Sequence, residues 1–113
     1  MKVADIPFST TDWSKIEPTV HPGETGQARW RTQVFGPEEA RIRVRMVEYS
    51  PGYLADHWCE KGHVVLCLTG ELVTTLADGR TFTLVPGTSY QVADGDGSHR
   101  SSTHSGALLF IVD

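Results

Sequence analysis

HVVLCLTGELVTTLADGRTFTLV, residues 63–85, reads as three strands joined by two reversals. From His63 to Thr69 the run is apolar and rich in branched side chains, which suit a pleated sheet better than a helix. Gly70 permits a tight reversal into Glu71–Ala77. Asp78-Gly79 is the strongest hairpin signal in the chain, because a type I′ turn needs positive φ and glycine accepts it cheaply. Thr81–Val85 is the returning strand.

The pattern continues outward on both sides. Leu54–Trp58 precedes the hairpin, separated from it by a turn at Glu60-Lys61-Gly62. Ile42-Arg43-Val44-Arg45-Met46-Val47 alternates apolar and basic residues, the period of a strand with one wet face. Pro51-Gly52 ends that run, and Ala28–Phe35 is closed by Gly36-Pro37. On the other side follow Ser89–Val92, Ser98–His104 and Ala107–Val112, with turns at Pro86-Gly87 and Asp94-Gly95-Asp96-Gly97. About nine short strands and no long amphipathic helical stretch predict an all-β sandwich or barrel over residues 28–113. Residues 1–27, with Pro7, Pro18 and Pro22, read as irregular; Thr10-Thr11-Asp12-Trp13 caps one short helical turn at most. Ile6, Phe8, Trp13 and Ile16 make that segment too apolar to float free, so it is expected to drape over the barrel or a partner subunit.

At 113 residues the chain is long enough for one core and too short for two. Its formal charge of −4, with no concentrated run of lysine and arginine, argues against a nucleic-acid binder. No stretch approaches the roughly 18 apolar residues of a membrane span. The charge within Met1-Lys2-Val3-Ala4-Asp5 argues against a secretory leader, and a cytoplasmic location is the expectation. Cys59 and Cys67 are then expected reduced, with Cys67 a small buried hydrophobe.

Chemistry gathers around one of these cysteines. His57 and Cys59 lie two apart on an expected strand, which puts both side chains on one face. His63 opens the next strand and can fold back beside them. His99 is distant in sequence but begins a strand after a glycine-rich turn. Imidazole nitrogen and thiolate sulfur are donors for borderline metals.

This spacing resembles the cupin superfamily. Gly52, His57, Cys59, His63 and Gly70 occupy the frame of the first cupin motif, with Cys59 standing for its second histidine and His63 for its glutamate. Gly79, Pro86-Gly87 and His99 fit the second motif loosely, with Thr103 where that motif has asparagine. The run Asp56-His57-Trp58-Cys59 further resembles small bacterial cupins named for an Asp-His-Cys-Trp motif. The resemblance implies a cupin-type double-stranded β-helix, a jelly-roll barrel, that pairs as a homodimer. It also implies a divalent metal on His57, Cys59, His63 and His99, acting on or binding a small molecule. The softened donor set favours zinc, with nickel, cobalt or iron open. A closed shell of four protein ligands fits a structural or sensing site, and a shell with a free position fits an enzyme. The sequence leaves both open, together with a metal-free pocket.

Other residues carry weaker signals. Glu60 and Tyr90 are the candidate proton-transfer groups, although a turn glutamate is ordinarily solvated and an inward tyrosine ordinarily packed core. Trp58 is expected to pack against the far sheet face, and Arg43 and Arg45 to form a solvated or dimer-facing side, or, if their face looks inward, to attract an anionic substrate. His104 and His21 are expected to be bystanders, the latter in a loop. Asp94-Gly95-Asp96-Gly97 lacks the downstream glutamate of a calcium loop and is read as a turn.

Overall fold

The computed structural model describes residues 3–113. A 3₁₀ turn at Trp13–Lys15 is capped by the Asp12 carboxylate, which accepts from Ser14 N at 3.1 Å. The strands then follow: β1 (Thr19–Pro22), β2 (Gln27–Phe35), β3 (Ile42–Tyr49), β4 (His63–Gly70), β5 (Leu72–Leu76), β6 (Thr81–Leu84), β7 (Ser89–Val92), β8 (His99–Ser102) and β9 (Ala107–Val112). Six form an antiparallel sheet in the order β1-β2-β3-β9-β4-β7, and three form a second in the order β6-β5-β8. Leu72 and Leu84 of the small sheet bury against Val47, Val65, Cys67 and Leu109 of the large one. Each pairing presents alternate residues to this shared core, so the two sheets close into one all-β barrel.

Two segments differ from the sequence expectation. Within 1–27, of which residues 1 and 2 lie outside the described residues, β1 pairs along four positions with β2. Pro22 ends that strand, and an edge place needs no donor from it. Leu54–Trp58 is the converse case. Leu54 pairs singly with Thr25 and Ser102, and Cys59 with His99, while Asp56 and His57 bend out between these points. Trp58 is therefore left on a loop, 44% exposed, rather than packed on a sheet face.

The third difference lies inside. Val47 stands opposite Trp30 and Leu109 in the buried face of β3, and two-residue periodicity puts Arg45 and Arg43 on that same face. The Arg45 side chain is 7% exposed, so the alternating basic residues are the barrel's interior and not its wet side. What permits this is Asp113, just beyond β9, whose carboxylate is wholly buried between the two guanidinium groups.

Both cysteines are free. Cys67 is fully buried in the core, and burial pushes its thiol up from the ordinary value. At the end of β4, the Gly106 backbone lies so close to Gly70 that an added Cβ would overlap its carbonyl oxygen.

Candidate active site in the barrel interior

His63 and Tyr90 meet because of register. His63 pairs with Val92, and Val65 with Tyr90, so the histidine and tyrosine are diagonal neighbours on the inward face of β4 and β7. The His63 Nε2 atom is 2.9 Å from the Tyr90 hydroxyl. His99, at the start of β8 in the facing sheet, brings its own Nε2 to 3.0 Å from that of His63. Three polar atoms from both sheets thus converge at one point. Beside them opens a cavity of about 400 Å³ lined by Thr74, Leu76, Phe82, Tyr90, Val92 and His99.

Behind this point sits a charged cluster. His63 Nδ1 lies 3.8 Å from Asp113 Oδ2 and has no hydrogen-bond partner among the described residues. Arg43 holds Asp113 with two bonds, Nε to Oδ1 at 2.8 Å and Nη2 to Oδ2 at 3.0 Å, and Arg45 Nη2 donates to Oδ2 at 3.0 Å. The Arg45 guanidinium also stacks over the Trp30 ring, 4.3 Å from its centroid. Burial alone would raise the Asp113 carboxyl, but His63 and the two arginines outweigh it and hold the group well below its ordinary range.

No protein-family model matches the sequence, and no curated protein matches it. Solved structures do match. The polyketide cyclase RemF from Streptomyces resistomycificus superposes with a TM-score of 0.76 at 21% identity, covering 94% of this chain and 78% of its own. Ectoine synthase from P. lautus gives 0.73 at 17% identity, over 93% and 76% of the two chains. A sugar phosphate isomerase of the cupin superfamily from Silicibacter pomeroyi gives 0.67 at 20% identity, over 92% and 74%. The chain has the cupin fold.

The cupin barrel places the remaining expected residues unevenly. His57 does not join His63 and His99: its side chain is 75% exposed, and its Nδ1 lies 2.5 Å from the neighbouring Asp56 carboxylate. The same-face argument failed because the chain bends at these residues instead of running on as a strand. Cys59 remains at the site's border. It exchanges both backbone hydrogen bonds with His99, at 2.8 and 2.9 Å, so the two side chains leave the pair on one face. Its Sγ accepts from Lys61 N at 3.4 Å. Among the described residues no three His, Cys, Asp or Glu side chains form a ready-made metal cage.

Glu60 is exposed and accepts from the Ser98 hydroxyl at 3.3 Å, outside the cavity lining. Tyr90, by contrast, touches His63, and burial holds its phenol above the ordinary value, so at neutral pH the protein carries it protonated, as a hydrogen-bond donor. Burial, with His63 adding to it, lowers His99, which favours a neutral imidazole. His104 is exposed. His21 departs from the loop expectation: it lies in β1 and stacks on Trp30 at 3.7 Å.

Sequence reasoning missed Asp113, and it favoured the solvated side over the inward one for Arg43 and Arg45. The pairing of Arg45 with Ile111 across β3 and β9 puts Asp113 on the arginine side. That register is not written in either strand alone.

Proposed function

We propose that this cupin is a metal-dependent enzyme acting on a small polar molecule in the barrel, with a divalent ion held by His63, His99 and Cys59. The observation that carries the reading is the 3.0 Å approach of the two imidazole Nε2 atoms beside the Tyr90 hydroxyl. Two metal–nitrogen bonds of about 2.0–2.1 Å at a tetrahedral angle separate their nitrogens by about 3.3 Å, so a small relaxation admits an ion between these rings. Asp113 lies 3.8 Å behind His63 Nδ1, too far for a hydrogen bond as it stands, and a closer approach would fix the tautomer that turns the Nε2 lone pair toward the ligand position. Cys59 needs a larger adjustment, a turn of its side chain away from Lys61 N. The mixed imidazole and thiolate set favours zinc, with nickel, cobalt or iron as competitors.

When bound, such an ion polarises a substrate oxygen or acidifies a water. The chain's own residues do the rest. Tyr90, held protonated, donates a hydrogen bond to an oxygen placed next to His63. Leu76, Phe82 and Val92 give the cavity an apolar wall, with Arg80, Gln91 and Asp96 as its polar lining. His57, turned outward, leaves one position free of protein, which supports catalysis over the alternative of a closed sensing or structural site. The three similar proteins are named for a cyclisation, a synthesis and an isomerisation, so the fold does not select the reaction.

Metal content measured on protein purified without added metal tests this. About one ion per chain is expected. His99→Ala should weaken zinc binding by more than about 100-fold, beyond what the loss of an outer-shell partner costs, whereas His57→Ala should leave it within a few-fold. Wild-type protein that takes up neither zinc, iron nor nickel sinks the proposal, as does a His57→Ala variant that loses metal as fully as His99→Ala.

A further inference from the structure

A second concavity, of about 380 Å³, opens where β3 begins and β9 ends, lined by Val34, Arg41, Arg43, Lys61 and Asp113. The chain as a whole carries a charge of −4, yet this mouth gathers three cations around one carboxylate. That carboxylate is already committed, for Arg43 takes both its oxygens and Arg45 shares one. Arg41 and Lys61 are exposed, and among the described residues neither makes an ion pair. Arg41 and Lys61 are therefore not tied to a carboxylate at the rim, although Asp94 bonds Gly62 N beside Lys61, and Arg45 adds a further charge behind Asp113. The Arg45 Nε is buried without a partner among the described residues. Of the nearby acids, Glu39 lines only the adjoining hollow, which also reaches His63, and Glu60 is engaged with Ser98.

We infer that this mouth is an anion subsite that seats the phosphate group of a small phosphorylated molecule. The inference goes beyond the proposed function, because this mouth shares no lining residue with the cavity beside Tyr90 and His99. Two free cations match a dianion, and the guanidinium fork of Arg41 can engage two phosphate oxygens at once while Lys61 supplies a mobile point charge. Asp113 holds Arg43 in place beneath them.

The test titrates chelator-treated protein with inorganic phosphate at constant ionic strength, followed by calorimetry. The wild type should bind with millimolar affinity. Arg41→Gln/Lys61→Gln, two exposed substitutions that leave the core intact, should weaken binding at least about tenfold, the lower end for one lost charge-assisted hydrogen bond. His99→Ala should bind phosphate as the wild type does. Because no metal is present, failure of the metal centre leaves these results unmoved. Malonate in a parallel titration separates phosphate from carboxylate. The inference is overturned if the wild type ignores phosphate, if the double variant binds it unchanged, if His99→Ala loses it, or if malonate binds more tightly.

Discussion

Asp113→Ala is expected to cost about 3–5 kcal/mol of stability, the range for removing one partner from a buried ion pair. The Asp113 side chain has no exposure and that of Arg45 only 7%, so the variant leaves a guanidinium that cannot reach water. Arg43, one third exposed, can turn outward and recover part of its solvation. A domain of this size has about 5–15 kcal/mol in total. Its melting temperature moves by about 4 °C or more per kcal/mol, so a fall of at least 12–20 °C, about three to five such steps, is expected by circular dichroism. A variant that melts within about 4 °C of wild type, a loss near 1 kcal/mol, would show that the network contributes nothing structural.

The same carboxylate predicts a pH profile for the chelator-treated protein. Its folded-state value lies below the ordinary 3.8. The folded protein therefore binds this proton less readily than the unfolded chain, and stability from the group is complete above the ordinary value. As pH falls below about 4, toward the lower folded value, that contribution is lost. Denaturant midpoints should drop across this acid window in wild type. Asp113→Asn should lack this component, its gap to wild type narrowing as the solution becomes more acidic.

Gly70→Ala carries the other large effect, an expected loss of about 3 kcal/mol or more from overpacking against backbone combined with a left-handed residue. Gly70 sits at φ +75°, and its missing Cβ would overlap the Gly106 carbonyl oxygen and stand 2.9 Å from the carbonyl carbon. No flexible side chain is there to yield. Gly87 provides the control, at φ +85° with nothing within 4 Å of an added Cβ. Gly87→Ala should cost only about 1 kcal/mol, the conformational part alone. Equal midpoint shifts for the two variants in guanidinium would refute the crowding account.

These residues mark how far the sequence could be read. The strands of the central hairpin, and Ser89–Val92 and Ala107–Val112, were legible because branched residues and glycine turns act locally. Leu54–Trp58 misled because its composition suits a strand while its partners, Thr25, Ser102 and His99, come from two directions and break the ladder. His63, His99 and Tyr90 stood out by residue type and place. His57 did too, but its orientation depended on the backbone bend that a strand reading had excluded. The Arg43–Asp113–Arg45 network was illegible for another reason. Alternation states that two faces differ, not which one looks inward, and here an acid some 70 positions away makes the basic face the buried one.

The strands at the sheet margins, β1 and β7 on the large sheet and β6 and β8 on the small one, are each four residues long, shorter than the strands they flank. Open ladder positions invite neighbouring molecules to add on, and a stub of this length offers too few donors and acceptors to hold a stranger. At β8 the bridges from Leu54 and Cys59 cover part of the ladder as well, so these borders leave few positions for edge recruitment. Self-association of this protein should accordingly run through side chains on its broad faces, and it should resist concentration and salt without forming cross-β deposits.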